Sequence, residues 1–207
     1  MGESHMVGMA EIKVIRSPGD ILVALGLGSC IGVCLFDEQA GVAGMAHVVL
    51  PDSSGHQSSP AKFADTAFPL LLEEMKKVGA RVSMVRAALA GGAQLFAFQG
   101  SGPRLDIGPR NASAVQAQCQ SYRISVIASD LGGSVGRTVQ FSGSGLVRVK
   151  TLGKGERELV NLGSGTAGGG IQEPSRQEFA GAERPTTAGT GVLPRVERAR
   201  GGGLRGA

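Results

Sequence analysis

The chain has 207 residues, 42% of them hydrophobic and 18% charged, with 34 glycines and a net charge of +4. That is enough apolar material for one domain with a core, while 4% aromatics and no tryptophan exclude an aromatic platform for single-stranded nucleic acid. No apolar run reaches the length of a membrane span, no signal-peptide pattern opens the chain, and three cysteines without a CxxC pair argue against a disulfide framework or structural zinc. A reducing, cytoplasmic setting is therefore expected, with no cofactor or metal and no nucleic-acid partner, because the small positive charge forms no basic stripe.

Residues 1–9 contain three methionines, any of which could start translation, so they are expected to be a flexible N-terminus outside the fold. From 10 to 160 the texture is that of a core. Ile21–Leu25 is a compact apolar run, and Cys30–Phe36 and Val42–Leu50 are apolar on both faces, as in strands buried between two layers. Ser59 as N-cap and Pro60 at the first helical position open a helix. Phe63, Ala67, Leu71, Met75 and Val78 form its stripe, Pro69 is expected to kink it, and Gly79 stops it. Met84–Ala90, Ile124–Ala128, Thr138–Phe141 and Leu146–Lys150 read as further strands, and Pro109–Ser121 as a second helix. Many strands with two helices and no regular alternation predict an α/β fold, a mixed β-sheet sandwich with helices packed on the outside. Residues 161–207 hold twelve glycines and three prolines and read as a disordered tail.

Gly26, Gly28 and Gly32 do not make a dinucleotide loop, because the third glycine comes one place late and an apolar strand follows. The two runs around Asp37–Ala40 read instead as an antiparallel hairpin. With Phe36 opposite Gly41, Cys34 faces Ala43, Gly32 faces Met45 and Cys30 faces His47. Directly opposed side chains have Cβ atoms about 4.5–5.5 Å apart, which would bring a thiol against an imidazole. Such a pair is the minimum for covalent catalysis, since a proton taken by imidazole leaves a nucleophilic thiolate. The glycines beside Cys30 admit a substrate closely, and the backbone around Gly28 and Ser29 offers N–H groups to an oxyanion. Cys34 and Cys119 read as core, and His56 as a solvated loop residue.

LGLGSCIGVCLFD, GMAHVVLPDS, KFADTA, AGGAQLF, IGPRN and the paired glycines of SDLGGSVGRTVQF stand in one order. Together they resemble the CheD family, chemoreceptor glutamine deamidases of bacterial and archaeal chemotaxis, over about residues 11–160. The resemblance implies a cysteine-hydrolase-like fold, with Cys30 as nucleophile and His47 as its base. It also implies hydrolysis of receptor glutamines to glutamate with release of ammonia. The implied partners are chemoreceptor cytoplasmic domains as protein substrate and a CheC-type CheY phosphatase; the chain itself is expected to be a monomer. The family's third catalytic position, a threonine, falls on Ala24, and IGPRN carries Pro109 where a small residue is expected. Ala24 has no hydroxyl to orient His47, so a backbone carbonyl, Ser29 or water would have to substitute; if His47 is left under-oriented, Ala24→Thr is expected to raise the rate. A binding module with weakened catalysis is the alternative.

Overall fold

The computed structural model describes residues 2–55, 59–95 and 106–164. In chain order it contains β1 (Ser4–Met6), β2 (Ile12–Ile15), β3 (Ile21–Leu27), β4 (Ile31–Asp37), β5 (Val42–Val48), a 3-10 turn at Pro60–Lys62, and helix α1 (Ala64–Lys77). A second 3-10 turn at Val82–Met84 follows, then β6 (Val85–Gly91), helix α2 (Ile107–Ser121), β7 (Ser125–Leu131), β8 (Arg137–Ser142), β9 (Leu146–Thr151) and β10 (Gly155–Asn161). Strands β1-β3-β8-β9-β10 form one five-stranded sheet and β2-β5-β4-β6-β7 the other. Each is mixed, because β1 runs parallel to β3 and β6 runs parallel to β7.

The layers follow from side-chain alternation. Every residue of β4 and β5 is buried. Ile31, Val33, Leu35, Ala46 and Val48 pack against Phe68, Leu71 and Met75 of α1 and Val115 of α2. Cys34, Phe36, Ala43 and Met45 point the other way, onto Leu22, Ala24, Val139, Phe141 and Val147 of the other sheet. Phe36 meets Phe141 edge-on across this seam, with ring centroids 6.3 Å apart. The order is sheet, sheet, helices, the expected sandwich with both helices outside one sheet. Each fully buried Leu or Phe in these two seams contributes about 1.5–3 kcal/mol.

Several local expectations change. Ser59 does not cap a helix with its side chain; it sits at φ 56° before the 3-10 turn. Phe63 is then extended, so α1 begins at Ala64 and continues through Pro69. The C-terminal stop holds: Gly79 takes φ 100°, its N–H donates to Lys76 O, and Ala80 N–H donates to Met75 O. α2 starts at Ile107, upstream of Pro109.

The reading of residues 1–9 as flexible is corrected. β1 pairs with β3 from Ser4 to Met6, Val7 N–H donates to Val23 O, and Val7 is fully buried. The tail boundary moves as well. Asn161 still pairs with Leu146, and Leu162 is fully buried with its N–H on Gly145 O. His56 and residues 165–207 lie outside the described residues.

Candidate active site

Cys30 precedes β4 on a loop whose carbonyls are held from below. Ala93 N–H donates to Gly28 O at 2.7 Å and Gly92 N–H to Cys30 O at 2.9 Å. The AGGA block is shaped for this approach. A Cβ on Gly91 would lie 2.1 Å from Cys30 O, and the residue sits at φ 123°, a conformation side chains rarely adopt. Among the described residues, the N–H groups of Gly28, Ser29 and Cys30 donate to no other backbone carbonyl. Cys30 is 8% exposed. Burial raises its thiol pKa, with its own backbone N–H working the other way.

His47, in β5, is 2% exposed, and its Nδ1 lies 3.2 Å from the carbonyl oxygen of Val7. A carbonyl only accepts, so Nδ1 carries the hydrogen, and Nε2 keeps its lone pair. Nε2 is buried and has no hydrogen-bond partner among the described residues. Burial lowers the His47 pKa, while the Val7 bond and the charge of Glu11 push it up. The segment bearing Val7 is itself tied to the strand: Ala10 N–H donates to His47 O, and His47 N–H donates to Glu11 O. The Val7 bond thus fixes one tautomer of the imidazole, and burial favours its neutral form.

The structure corrects the hairpin register. Gly32, not Cys30, lies opposite His47, and Cys34 pairs with Met45 rather than Ala43. The cause is Asp37, expected in the loop but present as the last strand residue, opposite Val42. Its buried carboxylate accepts Ala40 N–H to close the turn and Arg81 N–H from the far side. The slip is an even one, so it keeps every side chain on its face. Cys30 packs in the seam between the sheets, and His47 shares that face by parity with Ala43 and Met45; the register continued one residue past Ile31 would make the two diagonal rather than direct neighbours. Diagonal pairs have Cα atoms about 7–8 Å apart with Cβ atoms closer, still within reach of long side chains. Gly32, opposite the histidine, adds no side chain between them.

Ala24 is fully buried in the same seam. The other cysteines are buried in the core, which raises the Cys34 thiol far above its usual range and pushes Cys119 up to about 12. Ser29 contributes its carbonyl, which accepts from Asn111 Nδ2 at 2.9 Å.

Two participants were not read from the sequence. Val7 acts through its backbone carbonyl, which every residue possesses, so no residue type signals it. Asn111 had a signal: it is a polar residue on the α2 stripe with Val115 and Cys119, and all three are buried. Among the described residues no group of three or more His, Cys, Asp or Glu side chains could hold a metal ion, and no helix is long and apolar enough to cross a membrane.

Comparison with known proteins gives this arrangement a family. Residues 49–151 match the model of CheD, described as CheD chemotactic sensory transduction. The chain is 47% identical over 155 residues to a probable chemoreceptor glutamine deamidase CheD of Desulfitobacterium hafniense, covering 74% of this chain and 96% of the relative. It is 42% identical over 153 residues to the chemoreceptor glutamine deamidase CheD of Thermotoga maritima, covering 73% and 94%. With that of Halalkalibacterium halodurans the identity is 41% over 163 residues, 77% of this chain and the whole of the relative. Similarity at this level, running nearly end to end in each relative, shows that the chain belongs to the CheD family.

Proposed function

We propose that this chain deamidates glutamine side chains of chemoreceptor cytoplasmic domains, with Cys30 as nucleophile and His47 as general base and acid. The observation that carries the reading is the bond from His47 Nδ1–H to the Val7 carbonyl, which leaves Nε2 buried and without a partner among the described residues, on the face that holds the Cys30 thiol. The thiol pKa is raised and the imidazole pKa lowered, so the resting pair is neutral. The proton moves from Sγ to Nε2 as sulfur attacks the carboxamide carbon. The oxyanion forms beside Gly28 and Ser29, whose backbone N–H groups donate to no backbone carbonyl among the described residues. His47 returns the proton to the departing nitrogen, ammonia leaves, and a thioester remains. Water, deprotonated by Nε2, attacks the thioester carbon; the carbon–sulfur bond breaks, Cys30 regains its proton and glutamate is the product. The protein works in a reducing cytoplasm as a monomer, with a CheC-type CheY phosphatase as a second partner.

The binding-module alternative rested on the missing hydroxyl at Ala24, and the Val7 carbonyl takes over that orienting role. The test incubates the protein with a receptor signalling-domain fragment and follows ammonia release and one-dalton gains at glutamines by mass spectrometry. Cys30→Ala and His47→Ala should each abolish turnover while leaving stability within about 2 kcal/mol, and Cys119→Ser should retain it. Wild-type turnover in Cys30→Ala would remove the nucleophile.

A further inference from the structure

Asn111 lies in the first turns of α2, far in sequence from both Cys30 and His47, and is fully buried. Its Nδ2 donates to two carbonyls, Ser29 O at 2.9 Å and Val49 O at 2.8 Å. Ser29 immediately precedes the nucleophile; Val49 follows β5 two residues beyond the base. At this end of the sandwich the β4–β5 ladder has stopped, its last pair being Ile31 with Val48. Beyond that pair, Cys30 O accepts from Gly92 N–H, and the Ser29 and Val49 carbonyls are bridged by this side chain from a helix. Both partners are acceptors, so the amide orientation is settled and both donor hydrogens are used. Oδ1 is buried without a partner among the described residues, so the donors alone account for the residue's place.

We infer that Asn111 is a positioning residue, a two-donor bridge that sets how far the Cys30 loop stands from the His47 strand. This rests on the deamidase reading for its catalytic consequence, but the geometry is independent of substrate. The diagonal relation of Cys30 and His47 leaves the thiol–imidazole approach undetermined by strand pairing, because Cys30 itself pairs with no residue of β5. Something outside the ladder must hold the gap. On its other edge the loop is held by Gly92 and Ala93, and the IGPRN segment reaches the same place, since a Cβ on Gly108 would lie 2.4 Å from Gly92 O. α2 therefore braces both the AGGA block and the open end of the hairpin. The carboxamide of Asn111 hydrogen-bonds to both catalytic chain segments.

The variants are Asn111→Ser, which retains one donor, Asn111→Asp, which keeps the shape but loses both donors as a carboxylate, and Asn111→Ala. Two readouts are taken on the folded full chain: kcat and KM for ammonia release from the receptor fragment, and the pH profile of Cys30 alkylation by iodoacetamide with no substrate present. A displacement of about 1 Å in a catalytic group costs on the order of a hundredfold, so kcat should fall about 30- to 100-fold in Asn111→Asp and Asn111→Ala and less in Asn111→Ser, with KM within about threefold. The alkylation profile should move to lower pH in these variants, because a displaced Cys30 loop loses part of the burial that raises its thiol pKa. If the wild type releases no ammonia but the alkylation profile still changes in these variants, the deamidase reading fails and the positioning role stands. A lowered melting temperature with an unchanged alkylation profile and unchanged kcat would show a purely structural asparagine and overturn the inference. Should Asn111→Ala not fold, Asn111→Ser and Asn111→Asp decide by the same criteria.

Discussion

Deleting residues 2–8 removes β1 and the Val7 carbonyl while leaving Ala10 and Glu11 to tether His47 by its backbone. Nδ1–H then loses its acceptor in a buried setting, which costs about 1–3 kcal/mol and allows the ring to turn or change tautomer. If that whole cost falls on the barrier, turnover drops by about fivefold to about 150-fold. Stability falls separately, because a buried valine contributes about 1.5–3 kcal/mol, so rates are compared at a temperature where both proteins are folded. The informative partner is Ala24→Thr. From the sequence a gain is expected, on the view that His47 lacks an orienting hydroxyl. But Nδ1 has one hydrogen, and Val7 O already accepts it. In the full chain Ala24→Thr should therefore change turnover by less than about twofold, and it should cost stability, since adding atoms to a filled core typically loses about 1–3 kcal/mol. In the deleted background the threonine hydroxyl meets a free N–H and should recover at least about fivefold of the lost rate, the worth of one hydrogen bond. The assay is ammonia release for the four proteins of this cycle. A tenfold gain from Ala24→Thr in the intact chain, or an unaltered rate on deletion, would refute the assignment of Val7 as the orienting group.

The acid limb of kcat/KM should lie below 6.5, the ordinary histidine value, because burial lowers the His47 pKa and only the neutral ring is a base. Glu11→Gln should move that limb lower still, since the Glu11 charge raises the His47 pKa; a shift upward in the pH–rate profile would contradict this. Without substrate, iodoacetamide should label Cys30 substantially only above its ordinary thiol value of 9.0, and rapid labelling at pH 7 would disprove the neutral resting pair. Gly91→Ala forces a methyl to within 2.1 Å of Cys30 O at φ 123°, so it should cost at least about 2 kcal/mol by thermal unfolding and most of the activity. Truncation after residue 164 should leave melting temperature and activity unchanged, because the removed composition cannot build a core. Truncation after residue 160 removes the fully buried Leu162 and should cost about 2–4 kcal/mol; equal melting curves for the two would show that Leu162 contributes nothing.

What could be read from the sequence was parity; what could not was register. Two doubly apolar runs announced β4 and β5 as buried between layers, and the face shared by Cys30 and His47 follows from odd and even positions alone. The register depends on where the turn closes, and Asp37 decides that by bonding Ala40 and Arg81, the second far away in sequence. Ser59 and Pro60 carry a real start signal, yet the turn they open is a 3-10 turn, and Phe63 must become extended before α1 can lie on β5. β1, β2 and β10 are short or charged edge strands, Ser-His-Met, Ile-Lys-Val-Ile and Gly-Glu-Arg-Glu-Leu-Val-Asn, whose pairing comes from the partner strand more than from their own composition. Nothing in the composition of the first nine residues, three methionines among them, signals that Val7 is buried with its carbonyl on His47.

The groups that hold the candidate site share a chemical property. Val7 offers a carbonyl, Gly92 and Ala93 offer N–H groups, and Asn111 offers a carboxamide. None of them titrates. A carboxylate in the orienting position would stabilise a charged imidazolium and favour a resting thiolate–imidazolium pair. A carbonyl fixes the tautomer without adding a full negative charge, so burial dominates both pKa values and drives them towards the neutral forms. A neutral thiol is a weak nucleophile towards adventitious electrophiles and oxidants. In the mechanism we propose, its activation waits on a carboxamide seated where the loop N–H groups can take the developing charge. On this arrangement selectivity for a receptor glutamine begins before any contact with the rest of the receptor, because the nucleophile forms only as the bond forms.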